Sequence, residues 1–361
     1  MKAAVCREFG SPLVIEELTI DPPTGREVKV DVAACAICHS DIHYAEGAWG
    51  GTLPTVYGHE AAGTIIEVGP LVTNLAVGDH VIVSLLRSCG SCYYCDQGLL
   101  HACEGTFPSD QQSRIHTQNG DPVLAAMHCG AFAEEVVVDQ SQAVAISKEI
   151  PLDSASLLAC GVITGLGAVT NTARIPAGSS VVAIGTGGVG LNSIQGAALA
   201  GARTIIALDL NDAKLAAARD FGATDTINPN ETNATAAIKA LTDGRGADYV
   251  FVTVGSAKAM EQAIDYVKPT GTLVIVGMPA TGATSAFELG NIAGANQQIL
   301  GSKMGSTRLQ VDVPKLVALY QQGRLKLDEL ITNRYPLEEI NEAIAEVNRG
   351  EALRNVIVMT K

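Results

Sequence analysis

A glycine-rich turn between an apolar strand and an Ala-rich helix constrains the fold of this chain more than any other feature. The turn, Gly185-Thr186-Gly187-Gly188-Val189-Gly190, fits the pattern G-x-G-x-x-G. It follows a predicted strand at Val181–Ile184 and opens a predicted helix at Val189–Ala200. The first glycine makes the tight bend, the second lets the backbone approach a pyrophosphate, and the helix N-terminus attracts that anion. The segment therefore predicts a dinucleotide-binding unit.

An acidic residue further along supports this interpretation. Asp209 ends the next predicted strand, Thr204–Leu208, and follows Gly190 by 19 residues. A carboxylate there would accept hydrogen bonds from the adenosine ribose hydroxyls and repel a 2′-phosphate, which favours NAD over NADP. The alternative is a glycine turn that only packs a helix. Strand, turn, helix and acid together favour nucleotide binding.

The wider pattern predicts two domains in the 361 residues. Roughly the first 155 residues hold short Val- and Ile-rich runs separated by Gly and Pro, which is typical of an irregular β region. From Ser179 to Val276, apolar strands alternate with Ala-rich helices, which predicts an α/β fold with a doubly wound parallel sheet. After about Gly301 the pattern predicts helices at Val313–Gln322 and Pro336–Arg349, and then a closing strand at Asn355–Met359.

Four of the nine cysteines form a dense cluster with the spacing C-x2-C-x2-C-x7-C, at Cys89, Cys92, Cys95 and Cys103. Four thiolates at this spacing can enclose Zn²⁺ in a tetrahedron with no open position, which is a structural site. A ferredoxin-type cluster is the rival, but it usually has a three-residue gap and a proline, and here the gap is seven and Glu104 follows. A cluster without metal is the third alternative.

The net charge of −14 argues against nucleic acid and anionic membranes as partners. The apolar runs are short and broken by Gly, Pro or charge, and none reaches the ~18 residues of a membrane span. The N-terminus becomes charged at Arg7 before an apolar signal core could form. We therefore expect a cytoplasmic protein with no membrane partner. The same charge argues against a zinc ribbon for nucleic acid as the role of the four cysteines.

A second set of possible ligands is dispersed along the chain. It comprises Cys38-His39-Ser40-Asp41-Ile42-His43, Gly58-His59-Glu60 and a distant Cys160. No local spacing rule joins these residues, and by themselves they could be ordinary buried side chains. In combination with the cysteine cluster and the glycine turn, in this order, they resemble the zinc-dependent medium-chain alcohol dehydrogenases over essentially the whole chain. The stretch from Gly161 to Asn228 is most similar to the branch that includes glutathione-dependent formaldehyde dehydrogenases.

The resemblance implies a GroES-like catalytic domain at residues 1–161 and 304–361, with a zinc lobe at 89–103, and an NAD-binding Rossmann domain at 162–303. It implies two zinc ions per chain. Cys38, His59 and Cys160 would hold the catalytic ion and leave one position open. Asp41 would orient the zinc histidine, and Glu60 would visit the metal during ligand exchange.

The implied reaction is reversible hydride transfer between NAD and an alcohol. Ser40 would accept the alcohol proton, which would pass by the nicotinamide ribose to His43 and then to solvent. His39 and Arg354 would face the pyrophosphate. The implied cofactor contacts are His39, Thr164, Gly185, Gly187, Gly188, Val189, Gly190, Asp209, Lys214, Val276 and Arg354.

The substrate positions depart from the glutathione-dependent branch. Phe107 stands where those enzymes carry an arginine, and Gly47–Gly51 lacks their acidic residues. Trp49, Leu85, Phe107 and Met278 would form an apolar wall suited to an uncharged, fairly hydrophobic primary or aromatic alcohol or aldehyde. Glutathione-dependent formaldehyde dehydrogenase stays open as an alternative. A metal-free quinone or enone reductase on the same fold is a second alternative. Such relatives, however, lack the three zinc ligands Cys38, His59 and Cys160 and usually prefer NADPH.

The oligomeric state is constrained only by the segment from Cys103 to Phe132, which is longer than in the short tetrameric relatives. It favours a homodimer built by edge-to-edge sheet pairing. A homotetramer stays open.

Overall fold

The structure, a computed structural model, describes residues 1–360. The chain divides into two compact units, one formed by Met1–Gly161 together with the segment from Arg308 onward, and one formed by Val162–Thr307. This division groups residues 304–307 with the second unit, whereas the sequence analysis assigns them to the first. The predicted domain boundaries stay a prediction.

The strands are numbered in chain order. They are β1 Lys2–Cys6, β2 Val14–Glu17, β3 Thr19–Ile20, β4 Glu27–Ala36, β5 Thr55–Val56, β6 Glu60–Val68, β7 His80–Ser84, β8 Ile115–His116, β9 Pro122–Ala125, β10 Glu135–Asp139, β11 Ala143–Ala145, β12 Ser180–Ile184, β13 Thr204–Leu208, β14 Asp225–Ile227, β15 Ala247–Val252, β16 Val267–Ile275, β17 Gln298–Gly301, β18 Ile331–Pro336 and β19 Arg354–Val358.

The α-helices are also numbered in chain order. They are α1 His39–Ala45, α2 Tyr93–Asp96, α3 Pro108–Gln111, α4 Leu152–Ser156, α5 Gly161–Gly167, α6 Gly188–Leu199, α7 Asp212–Asp220, α8 Ala234–Leu241, α9 Ala257–Ala263, α10 Leu289–Gly294, α11 Leu309–Gln321 and α12 Ile340–Asn348. Short 3₁₀ turns and a π-helical stretch at Ala168–Ala173 join them.

The first unit is built mainly from two sheets. One has the order β2-β1-β5-β9-β8-β3, and the other has the order β11-β7-β6-β4-β19-β18, with β10 paired to β4. The longest strand, β4, buries Val28, Val30 and Val32 at every second position, because successive side chains of a strand point to opposite faces. These valines join one continuous apolar core that extends to α12.

The second unit holds one six-stranded parallel sheet with the order β14-β13-β12-β15-β16-β17. All five residues of β12 are buried, as expected for a central strand covered on both faces. From β12 the chain adds β13 and β14 on one side of the sheet, and then crosses over to add β15 on the other side of β12. Sheets of this kind bind ligands at the point where the strand order reverses in this way. The predicted combination of an irregular β domain and a doubly wound parallel sheet is confirmed.

Among residues 1–360, no single helix is long and apolar enough to cross a membrane. One bent pair, Leu152–Ala159 with Gly161–Ala173, has the combined length and hydropathy that a broken span would need.

Candidate metal centres and nucleotide-binding turn

The four clustered cysteines converge on one point. Their Sγ atoms all lie within 4.8 Å of one another. The Sγ atoms of Cys92 and Cys103 are 3.9 Å apart. A zinc ion with Zn–S bonds of ~2.3 Å in a tetrahedron separates its sulfurs by roughly 3.8 Å, which is close to the distance between Cys92 and Cys103, so the donor set fits Zn²⁺.

Backbone groups prepare this lobe for thiolates. The Sγ atom of Cys103 accepts hydrogen bonds from the amides of Cys89 and Gly105, both at 3.3 Å. The backbone amide of Glu104 is the main cause that lowers the pKa of Cys92 to about 6. Burial raises the pKa of Cys95 to about 12, so that thiol needs a nearby cation to ionise at neutral pH.

Gly105 is a part of the lobe that the sequence analysis missed. A Cβ at this position would lie 2.6 Å from Cβ of Cys89 and 2.8 Å from its Sγ. Only glycine therefore fits behind the sulfurs. The sequence contains one signal for this role, because Gly105 stands two residues after Cys103, the last cysteine of the lobe.

The dispersed residues also meet. Ligand atoms of Cys38, His59, Glu60 and Cys160 lie within 4.8 Å of one another, and all four residues are buried. They come from four places in the first unit, namely the residue before α1, the residue before β6, the start of β6 and the residue before α5. Distant sequence positions thus form one compact set.

This second set also fits zinc. The Nε2 atom of His59 is buried and has no hydrogen-bond partner within residues 1–360. A buried imidazole nitrogen without a partner is unfavourable by about 1–3 kcal/mol unless something binds it. Two thiols, one imidazole and a nearby carboxylate are the donors that catalytic zinc sites use.

Asp41 organises the set from within α1. Its Oδ1 accepts the Nδ1–H of His59 at 2.9 Å and the amide of Gly58 at 2.9 Å, and its Oδ2 accepts the amide of Cys38 at 3.1 Å. These bonds fix the tautomer of His59, so that the Nε2 lone pair points to the sulfurs. Gly58 has a φ of +93°, and a Cβ there would lie 2.5 Å from the amide nitrogen of Phe132, which explains the glycine beside the histidine.

The electrostatics of the set are those of a cation site. A hydrogen bond from Cys160 is the main cause that lowers the pKa of Cys38 well below its usual value, and the pKa of Cys160 rises in return. Burial alone would lower the pKa of His59, but Asp41 and Cys38 raise it above its usual value. The surroundings therefore favour a positive charge at the meeting point of these groups.

Glu60 faces an arginine. Its Oε1 lies 2.5 Å from Nη2 of Arg354, and its Oε2 accepts the amide of Gly161 at 3.2 Å. Burial raises the pKa of Glu60 to about 7 even so close to a guanidinium. Arg354 is itself buried, and its Nε has no hydrogen-bond partner within residues 1–360. The predicted contact of Arg354 with a pyrophosphate stays a prediction.

We expect Asp41→Asn to weaken zinc binding by about 10- to 100-fold, the usual effect of changing a partner that orients a metal ligand. The asparagine side chain lacks the negative charge with which Asp41 stabilises the Nδ1–H of His59. The rate of zinc loss to a chelator measures this. Asp139→Asn is the matched control, because Asp139 is also buried and accepts a backbone amide, that of Ser141, outside the cluster. Equal zinc loss in both variants would contradict the prediction.

The predicted proton-relay residues lie on α1. The Oγ atom of Ser40 is 3.6 Å from Sγ of Cys38, which brings its hydroxyl to the edge of the metal set. The ring of His43 lies against Trp49, with centroids 5.2 Å apart, and 6.4 Å from the ring of His39. Trp49 also meets Tyr44 edge-on at 5.0 Å. The relay itself stays a prediction.

The other substrate residues have different surroundings. Phe107 is buried, and the guanidinium carbon of Arg87 lies 4.2 Å from the centre of its ring. Arg87 pairs with Asp110 at 2.7 Å, a contact that the sequence analysis missed. Leu85 packs against the core of the first unit, and Met278, in the second unit, is exposed. An apolar wall made by these residues stays a prediction.

The glycine turn of the second unit has the shape that a dinucleotide needs. Gly185 has a φ of +87°, and a Cβ on Gly190 would lie 1.7 Å from the carbonyl oxygen of Gly185. A Cβ on Gly187 would meet nothing within 4 Å, so the backbone there is open to a ligand. No side chain caps the N-terminus of the 12-residue α6. Its free N–H groups suit a phosphate.

The remaining predicted cofactor residues are distributed over the second unit. Asp209 directly follows β13 and is partly exposed. Lys214 is partly buried in the first turn of α7, Thr164 is buried in α5, and Val276 is buried directly after β16. Their contacts with a nucleotide stay predictions.

Comparison with known proteins agrees with both units. Residues 24–148 match the alcohol dehydrogenase GroES-like domain, and residues 188–322 match the zinc-binding dehydrogenase family. The chain is 38% identical to S-(hydroxymethyl)glutathione dehydrogenase of Saccharomyces cerevisiae over 373 residues, covering 98% of this chain and 95% of that protein. The fold is similar to benzyl alcohol dehydrogenase of Acinetobacter calcoaceticus, with a TM-score of 0.94, 32% identity and 99% of each chain covered.

These similarities, with the two cysteine-containing sets and the glycine turn, show that the chain belongs to the zinc-binding alcohol dehydrogenase family. A further neighbour, a zinc-binding dehydrogenase of Sinorhizobium meliloti 1021 solved with NADP, has a TM-score of 0.84 and 26% identity over 99% of this chain and 98% of its own. A dinucleotide cofactor is thus supported for the family fold.

Proposed function

We propose that this chain is a zinc-dependent alcohol dehydrogenase that transfers hydride reversibly between NAD and an uncharged, fairly hydrophobic primary or aromatic alcohol. The observation that carries the proposal is the buried set of Cys38, His59 and Cys160, in which Nε2 of His59 has no partner within residues 1–360. A substrate panel with NAD and NADP, followed by NADH and NADPH absorbance, tests it. Absence of turnover with every alcohol would overturn it.

Each residue has a defined role in this proposal. Cys38, His59 and Cys160 hold the catalytic zinc ion, and the four lobe cysteines hold the structural ion. When bound, zinc supplies a Lewis acid and NAD supplies the hydride acceptor. Asp41 keeps the imidazole of His59 aimed at the ion. The hydroxyl of Ser40 accepts the alcohol proton, and His43 releases a proton to solvent.

We expect His43→Gln to lower kcat for alcohol oxidation about tenfold near neutral pH and to flatten its rise with pH. Histidine is the side chain best suited to exchange protons in this range, and glutamine cannot do so. The pH profile of kcat measures the effect. His116→Gln is the control, because His116 pairs with Asp21 away from the metal set. An unchanged profile in His43→Gln would remove His43 from the relay.

The proposed preference for hydrophobic alcohols rests on the aromatic surroundings of α1. Trp49 packs on His43 and Tyr44, and no acidic residue lies within Gly47–Gly51. A benzyl-type alcohol fits such a surface through apolar and aromatic contacts. The similarity to benzyl alcohol dehydrogenase supports the same substrate class.

A second candidate is glutathione-dependent formaldehyde oxidation. One observation favours it, since Nη1 of Arg87 is buried and has no hydrogen-bond partner in the part of the chain that the structure describes. A guanidinium with a free donor can bind a carboxylate such as those of glutathione. Turnover of formaldehyde only with added glutathione, reduced in Arg87→Met, would favour this candidate over the first.

We also propose a homodimer that forms along the free edge of the parallel sheet. β17 is the last strand in the sheet order, and its residues Gln298 and Ile299 are exposed, as is Leu289 on α10. An exposed edge strand pairs readily with a second copy. Light scattering during size-exclusion chromatography distinguishes the dimer from a homotetramer.

A cytoplasmic location is proposed because none of the nine cysteines, all of which the structure describes, forms a disulfide, and this suits a reducing compartment. Fractionation of cells that produce the tagged protein tests this.

A further inference from the structure

A buried threonine of the glycine turn holds the predicted ribose-binding acid. The side chain of Thr186 is fully buried. Its amide donates to Oδ2 of Asp209 at 2.7 Å, and its Oγ1 donates to the same oxygen at 3.0 Å. The residue that the pattern G-x-G leaves unspecified therefore makes two bonds to one carboxylate oxygen.

Because of these bonds, the two carboxylate oxygens of Asp209 differ in how many further hydrogen bonds they can accept. A carboxylate oxygen has two lone pairs, and both lone pairs of Oδ2 are taken by Thr186. The other oxygen, Oδ1, accepts only the amide of Asn211, at 3.0 Å, within residues 1–360. The remaining lone pair is thus on Oδ1, and the side chain cannot rotate without breaking its two bonds to Thr186.

We propose that Thr186 is a specificity-determining positioning residue that selects NAD over NADP by fixing the carboxylate of Asp209. This inference rests on the proposed function. The ribose of NAD has a 2′-hydroxyl that can donate to the fixed Oδ1, whereas the 2′-phosphate of NADP brings negative charge to the same place. If the carboxylate of Asp209 can turn away, it loses the hydrogen bond from the 2′-hydroxyl of NAD. The repulsion of the 2′-phosphate of NADP is then also reduced.

Thr186→Val removes the hydroxyl at nearly constant volume and keeps the backbone amide. We expect the ratio of kcat/KM for NAD to kcat/KM for NADP to fall about tenfold, since hydrogen bonds to charged groups are among the stronger ones. The change should lie in KM for NAD, with kcat retained, because binding and not the chemical step is affected. Thr186→Ser keeps the hydroxyl and should keep the ratio within about twofold of the original.

Thr253→Val is the matched control. The hydroxyl of Thr253 also bonds this turn, to the carbonyls of Ile184 at 2.9 Å and Gly185 at 3.0 Å, but it does not touch Asp209. This variant should affect both cofactors in proportion. Calorimetric titration with NADH and NADPH gives the same comparison without turnover. If Thr186→Val does not fold, Thr186→Ala removes the hydroxyl without a methyl group facing the carboxylate.

The outcomes separate this inference from the proposed function. If the unaltered chain binds neither dinucleotide, the proposed function fails and the inference fails with it. If the unaltered chain prefers NAD and Thr186→Val keeps that preference, or loses both cofactors in proportion as Thr253→Val does, only the inference is overturned. A preference of the unaltered chain for NADP would overturn the role of Asp209 and with it that of Thr186.

Discussion

Cys38→Ala and Cys160→Ala are each expected to leave one zinc ion per chain where the unaltered protein holds two, and to lower kcat for alcohol oxidation by about 10⁴-fold or more. The three ligands act as a unit, because two remaining donors cannot hold zinc at a catalytic position. Both residues are buried beside His59. Zinc content by atomic emission and steady-state rates measured on the same preparations give the two results.

Cys35→Ala is the control for this experiment. Cys35 is buried as well and lies only three residues before Cys38, but it belongs to neither cysteine-containing set. It should keep both ions and most of the activity. If Cys38→Ala also kept two ions and turned over alcohol, the buried set would be a structural feature, and the zinc-dependent reaction would have no site in this unit.

The features that the sequence predicted well are local ones. The glycine turn is defined by a bend, an open backbone and a close helix packing, all of which arise within six residues. The lobe likewise brings its sulfurs together through a short loop from Cys89 to Cys103. In both cases the spacing along the chain fixes the spacing in space, so a pattern of residue types is sufficient.

The dispersed metal set could not be derived from spacing. The pairing of β4 with β6 brings Cys38 beside His59. Cys160 is about a hundred residues further on, and it joins them because α4 and the turn Leu157–Ala159 pack against β6. Resemblance to a family supplied this set, and the orphaned Nε2 of His59 supplies an independent physical reason for it. Contacts between side chains, such as Arg87 on Phe107 and Thr186 on Asp209, had no signal in the sequence.

Several elements were also missed because their residues lack a strong pattern. β14 has three residues and β17 four, too few for a clear alternation of apolar and polar positions. β18 lies almost entirely between the predicted helices Val313–Gln322 and Pro336–Arg349, where no element was predicted, and its residues are partly exposed because it is an edge strand of its sheet. Edge strands bury less apolar surface than central ones, and their sequences are correspondingly ambiguous.

Loss of the lobe zinc is expected to destabilise the protein strongly without abolishing its chemistry at low temperature. The lobe has almost no apolar core of its own, since α2 has only four residues, and Tyr93 and Leu99 are 65% and 41% exposed. Metal coordination must therefore provide the free energy that apolar burial provides elsewhere. Cys95→Ala should lower the melting temperature by on the order of 10 °C, since each kcal/mol shifts it by ~2–4 °C in a unit of this size.

The control is Tyr93→Ala, which removes an exposed ring from the same lobe that packs edge-on against Tyr94 at 5.3 Å. It should shift the melting temperature by only a few degrees, because little buried surface is lost. In contrast to Cys38→Ala, Cys95→Ala should retain the other zinc ion and turn over alcohol until it is warmed. The two ions then have separable roles, since one loss affects the rate and the other the melting temperature. Equal melting temperatures for Cys95→Ala and the unaltered protein would contradict this assignment, because the lobe would then be held by its backbone hydrogen bonds alone.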